Sequence, residues 1–127
     1  MDKGFVFEYA VIRIVPRVEK EEFINAGVIV FCKRPEFLGV KIHLHSNKVL
    51  ALDAEADLVE IEKHLKAFEH IAHGIDTKSP VARLDAPSRF RWLAARRSTV
   101  VQTSPTHTGI CSEPQKLLEK LFEMYVL

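Results

Sequence analysis

Phe5-Val6-Phe7-Glu8-Tyr9-Ala10-Val11-Ile12-Arg13-Ile14-Val15 is the stretch from which the fold follows. Most of its residues are β-branched or aromatic, the composition of a strand. In an extended chain Phe5, Phe7, Tyr9, Val11 and Val15 point one way, and Val6, Ala10, Ile12 and Ile14 the other. Both sides are mostly apolar, so this strand belongs at the centre of a sheet covered on each face. Pro16 ends it, because proline has no N–H to give to the ladder.

A second apolar run, Gly27-Val28-Ile29-Val30-Phe31-Cys32, follows after a helical turn at Glu19-Lys20-Glu21-Glu22-Phe23 and punctuation at Asn25 and Gly27. The link is short, so the two strands are expected to be antiparallel neighbours. Lys33-Arg34-Pro35-Glu36 reads as a turn. Val40, Ile42 and Leu44 alternate with Lys41, His43 and His45, the pattern of a strand with one wet face.

Beyond it, Leu58, Ile61, Leu65, Phe68 and Ile71 recur at steps of three and four, with Glu60, Glu62, Lys63 and Lys66 opposite. Asp53 is placed to cap this helix from Ala54, and Gly74 to end it in a left-handed turn. Residues 76–87 read as irregular. Ser88 is taken as the cap of a short helix over residues 89–95, although Phe90, Trp92 and Ala94 would also suit a strand. Residues 98–103 are strand-like, and residues 104–109 read as a polar loop. Ser112 and Gln115 match a capping box, and Leu118, Leu121, Phe122 and Tyr125 form the stripe of a final helix. The expected fold is α+β, with an antiparallel sheet of about four or five strands and two main helices packed on one face.

Composition narrows the function. A chain of 127 residues fits one domain, and 47% hydrophobic with 28% charged residues is ordinary for a globular protein. A net charge of +1 gives no global field to attract a partner. No window reaches the roughly 18 apolar residues of a membrane span. Glu8 and Arg13 break the first apolar run, against a signal peptide. Cys32 and Cys111 read as two buried thiols, which together with these absences points to the cytoplasm.

The strongest local charge lies in Arg83, Arg89, Arg91, Arg96 and Arg97, set against Asp85 alone and interleaved with Phe90 and Trp92. Arginine forks bind phosphate and aromatic rings stack on bases, so Arg89, Arg91, Trp92, Arg96 and Arg97 make a candidate nucleic-acid surface. The competing reading is a core of Phe90, Trp92 and Leu93 beneath a solvated face. Glu21, Glu22 and Asn25 form a polar knot before a buried strand, suited to general-base or metal chemistry or simply to capping. His107 stands among hydroxyls in Ser104-Pro105-Thr106-His107-Thr108-Gly109, where a loop histidine can act as acid or base. The six histidines include the pairs His43 with His45 and His70 with His73, but neither has the spacing of a known zinc site. No phosphate loop, nucleophile elbow or kinase signature is present, and no cofactor is expected.

Four stretches carry a resemblance: Tyr9-Ala10-Val11-Ile12-Arg13-Ile14-Val15-Pro16, Glu22-Phe23-Ile24-Asn25-Ala26-Gly27-Val28-Ile29, Arg89-Phe90-Arg91-Trp92-Leu93, and residues 98–109. Together they resemble a bacterial family known as domain of unknown function 3037, over most of the chain from Tyr9 to the final helix. The resemblance brings no catalytic residues. It implies a partner or regulatory role, because genes of such proteins often stand beside one for a HipA-like serine/threonine kinase of the toxin–antitoxin type.

Three functions are therefore weighed. The first is a non-enzymatic interaction or regulatory protein, in which the apolar end Met124-Tyr125-Val126-Leu127 completes its own core or docks on another chain, a homo-oligomer being one form of this. The second is a nucleic-acid-binding module built on the arginine-rich segment. The third is a nuclease- or hydrolase-like enzyme, which requires Glu22, Asn25, Arg97 and His107 to converge in one cleft.

Overall fold

A computed structural model describes residues 4–75 and 78–127. The elements run β1 (Phe5–Ile14), β2 (Ile24–Cys32), β3 (Phe37–Ile42), α1 (Ser46–Leu52), α2 (Leu58–His73), α3 (Ala86–Leu93), β4 (Val101–Thr103), β5 (His107–Cys111) and α4 (Pro114–Tyr125), with 3-10 turns at Val18–Lys20 and Val81–Arg83. The architecture is the expected α+β one with a five-stranded antiparallel sheet.

β1 is its centre. One edge pairs with β2 from Phe7 to Ile14, and β3 follows outside β2. The other edge is shared, Phe5 to Tyr9 pairing with β5 and Ile12 to Ile14 with β4. Between them the buried Ser104 bridges the break. Its N–H donates to the Val11 carbonyl and its Oγ accepts from the Val11 N–H, both at 2.8 Å. The two shared strands thus act as one interrupted edge strand with no polar group stranded at the join.

The two faces are covered by different helices. Ala10, Ile12, Ile14, Ile29 and Phe31 pack under α2 and α3, where Phe31 and Phe90 stack with centroids 5.3 Å apart. Phe7, Val28, Val30 and Cys32 pack under Leu118, Leu121 and Phe122 of α4. The placement of both main helices on one face is corrected accordingly. The reason lies in β1 and β2 themselves: both faces are apolar, and one helix stripe can dry only one of them.

Several boundaries also differ. Asp57, not Asp53, caps α2, its side chain accepting from the Glu60 N–H at 3.1 Å. Asp53 instead closes α1, a helix too short to show a period and with only Val49 buried. Gly74 ends α2 at φ +67°, as expected. α3 starts at Ala86 with Asp85 as its cap, which accepts from the Ser88 N–H. The Ser112 capping box does not form, since α4 starts after Glu113 and the Gln115 amide donates to Glu119. His107, Thr108 and Gly109, read as loop, form a strand because β1 still had an unpaired edge beside Tyr9, Glu8 and Phe7. The irregular segment expected from Asp76 falls partly outside the described residues, as do residues 1–3. No helix among the described residues is long and apolar enough to cross a membrane.

Candidate functional site

The face covered by α4 is not covered to its end. α4 lies over Phe7, Val30 and Cys32, and its last turn ends against Tyr9 of β1 and Asn25 near the start of β2. On this side β1 presents Tyr9, which meets Tyr125 of α4, then Val11 and Arg13. Across the ladder stand His107 opposite Tyr9, and Gln102 and Asn25 on either side of Arg13. A register shift between Ile12 and Arg13 sets this last pairing, skipping Ala26. Such a bulge twists the strand and re-aims the side chains after it.

The end of α4 is fastened by three side chains from distant parts of the chain. Asn25 Nδ2 donates to the Tyr125 carbonyl at 3.1 Å, and His45 Nε2 lies 2.7 Å from the Val126 carbonyl. The Tyr9 and Tyr125 hydroxyls lie 3.0 Å apart, and the Tyr9 ring packs 5.1 Å from His107. Burial first, then this hydroxyl pair, pushes the Tyr9 pKa from 10.0 up to about 12. Tyr9 is therefore held neutral, as a hydrogen-bonding group and not a base. These bonds satisfy helix-end carbonyls that α4 itself leaves open.

Past that fastening lies Arg13. Its guanidinium carbon sits 4.0 Å from the centre of the Phe23 ring, on the ring face. Its Nε is buried and has no hydrogen-bond partner, and no carboxylate among the described residues lies in ion-pair range. Burial lowers its pKa, but arginine stays charged. The side chain lines a cavity of about 420 Å³ with Val15, Val18 and Phe23 as apolar walls and Ser98 and Gln102 as neutral polar ones. Glu19 and Glu21 complete the lining; Glu19 is drawn off by Arg17 at 3.4 Å. Glu21 closes the Val18–Lys20 turn in the left-handed region at φ 56°, an uncommon conformation for a side chain other than glycine.

A family model described as a protein of unknown function, DUF3037, matches residues 9–126. The chain belongs to that family. The match runs from Tyr9 to the buried Val126, so it takes in the whole Arg13 end of the sheet. Comparisons with curated proteins and with solved structures gave no match.

In this DUF3037 chain the residues singled out from sequence are not gathered into one place. Asn25 and His107 share the α4 face, flanking Tyr9 and Tyr125. Glu22 is exposed on the link before β2. Arg97 lies on the other face, against Phe68 and Leu93, with its guanidinium carbon 4.3 Å from the Trp92 ring centre and Nη2 donating to the Trp92 carbonyl. Burial lowers its pKa. The cleft required of a hydrolase built on these four is not what the geometry offers.

The arginine-rich segment is divided among separate tasks. Arg89 donates to the Leu84 carbonyl at 2.6 Å and reaches the Ala72 carbonyl at the end of α2 at 3.5 Å. Arg91 pairs with Glu8 at 3.6 Å. Arg97 is laid on Trp92, which is 42% exposed. Arg83 ends the Val81–Arg83 turn, and Arg96 is exposed just beyond α3. Among the described residues no three His, Cys, Asp or Glu side chains gather to hold a metal ion. His43 and His45 pack edge to face at 4.3 Å, and His64 lies 3.6 Å from Glu60.

Arg13 was missed by the sequence reading of sites. The available signal was a single cation on the side of Phe7, Tyr9 and Val11 in a mostly apolar strand, a position that must be either paired or used.

Proposed function

We propose that this chain is a non-enzymatic interaction or regulatory module that docks a protein partner on the end of the sheet around Arg13 and Phe23. The observation that carries the reading is a guanidinium stacked on an exposed aromatic ring, at a cavity mouth, with no counter-ion among the described residues. Arginine and aromatic side chains are the anchors that carry most binding energy in protein interfaces. Phe23 is 42% and Val18 is 37% exposed, so the cation is ringed by apolar surface that a partner could dry. The polar groups nearby serve recognition better than catalysis, since Asn25 and Tyr9 are spent on holding α4.

A HipA-like kinase, the partner that the family resemblance implies, is the first to test. The purified chain and such a kinase, mixed at known concentrations, should form a complex of fixed stoichiometry by calorimetry. Arg13→Gln and Phe23→Ala should each weaken it by about tenfold or more, the scale of an interface anchor. A complex indifferent to both changes sinks this docking surface. Recovery of nucleic acid alone, lost steeply with salt, would favour the arginine-rich segment instead.

A further inference from the structure

We infer that the Arg13 cavity takes a single carboxylate from its partner, an acidic side chain or a chain terminus. This rests on the reading of this end of the sheet as a docking surface. The planar guanidinium matches the two oxygens of a carboxylate, and one of its faces is already occupied by Phe23. The ring fixes the plane of the fork before anything binds, which lowers the entropy lost on binding.

Neutral donors stand beside it. Ser98 lines the cavity, and Gln102 uses one amide hydrogen on the Thr99 carbonyl at 2.8 Å, leaving its second for a ligand. The acidic groups on the wall decide the class of anion. Glu19 is paired with Arg17, but Glu21 lines the same space as Arg13, so a dianionic phosphate would bring two negative charges to a lining that already sets one carboxylate beside the guanidinium. A single negative charge is tolerated far better. An apolar stem behind that carboxylate would lie along Val15, Val18 and Phe23.

The test is a titration of the ¹⁵N-labelled full chain, read at the Arg13 Nε–Hε signal and at the Ser98 and Gln102 amides. Four probes are used: acetate, an acetylated and amidated peptide with one internal glutamate, an acetylated peptide with a free C-terminus and no acidic residue, and inorganic phosphate. Saturable shifts of all three signals with either peptide support the inference, and the peptide that binds tells side chain from terminus. Arg13→Lys keeps the charge but loses the fork, and should weaken that binding about tenfold or more. Should that variant not fold, Gln102→Leu, which removes one donor, should weaken it several-fold. Tighter binding of phosphate, or no movement of Arg13 with any probe, overturns the carboxylate assignment. A kinase complex that depends on Arg13 while every probe fails would leave the docking surface standing and remove only the carboxylate. Peptide binding with no protein complex would do the reverse.

Discussion

Arg13 on β1 stands directly opposite Asn25 on β2, one step past a bulge, and the two side chains divide the end of the sheet between them. Asn25 reaches 100 positions along the chain to the Tyr125 carbonyl, whereas Arg13 turns to Phe23 and the cavity. The end of α4 is thus fastened by the direct neighbour of Arg13 across the ladder.

Asn25→Ala removes the bond to Tyr125 and frees a carbonyl at the last turn of α4. The expected cost is about 1 kcal/mol of global stability by denaturant unfolding. Faster amide exchange should appear at Val126, whose N–H bonds to the Phe122 carbonyl in that turn. Unchanged exchange there would show that Asn25 does not hold the helix end.

The Tyr9 hydroxyl predicts a pH dependence with a definite sign. In the fold its pKa is raised from 10.0 to about 12, by burial and by Tyr125, so the neutral form is favoured. Below about pH 10 the group is protonated whether folded or unfolded, and its contribution is constant. From pH 10 toward 12 the unfolded chain gives up this proton while the folded one keeps it, so stability falls. Tyr9→Phe should flatten that part of the curve, measured by denaturant midpoints at pH 9, 10 and 11. A wild-type curve no steeper than that of the variant would exclude the coupling.

How much of this was open to a reader of the sequence differs from element to element. The two-sided apolar pattern of residues 5–15 made β1 central, and the period from Leu58 to Ile71 made α2, because both signals are local. The stripe of α4 says that one side of the helix is apolar but not which side of the sheet receives it. β5 was hidden because an edge strand of His107, Thr108 and Gly109 has little burial to mark it. Arg13 could not be recognised as unpaired until the ends of α4 and the Val18–Lys20 turn were placed, and those depend on contacts remote in sequence.

Gly27 marks a close approach of backbones. A Cβ there would lie 2.6 Å from the Lys41 carbonyl oxygen and 3.0 Å from a side-chain carbon of Ile42. Gly27→Ala must push β3 away from β2, and overpacking of this kind costs roughly 1–3 kcal/mol. Thermal unfolding should show the loss, while Gly39→Ala, which meets mainly the Phe37 ring, should lose less if that ring can swing aside.

Within the arginine-rich segment the structure separates a structural cation from a solvated one. Arg89 caps the end of α2 through the Ala72 carbonyl and ties down Leu84, so Arg89→Ala should cost about 1–2 kcal/mol. Arg96 is exposed, and Arg96→Ala should stay within about 0.5 kcal/mol of wild type. Equal effects of the two in urea unfolding would contradict this division.

The thiols should behave unequally. Cys32 is fully buried under α4 and Cys111 half-buried on β5, and both are free. Burial, with Cys111 as a hydrogen-bonded neighbour, pushes the Cys32 pKa from 9.0 to about 11. At pH 8 only about one part in a thousand of such a thiol is thiolate, the reactive form. A disulfide reagent at pH 8 should therefore modify one thiol quickly and the second only at the rate at which the α4 face opens. Cys111→Ser should remove the fast phase and leave the slow one, and mild urea should accelerate what remains. Two fast equivalents in the folded wild type would mean that α4 does not seal the sheet beneath it, and would undercut the placement of one main helix on each face.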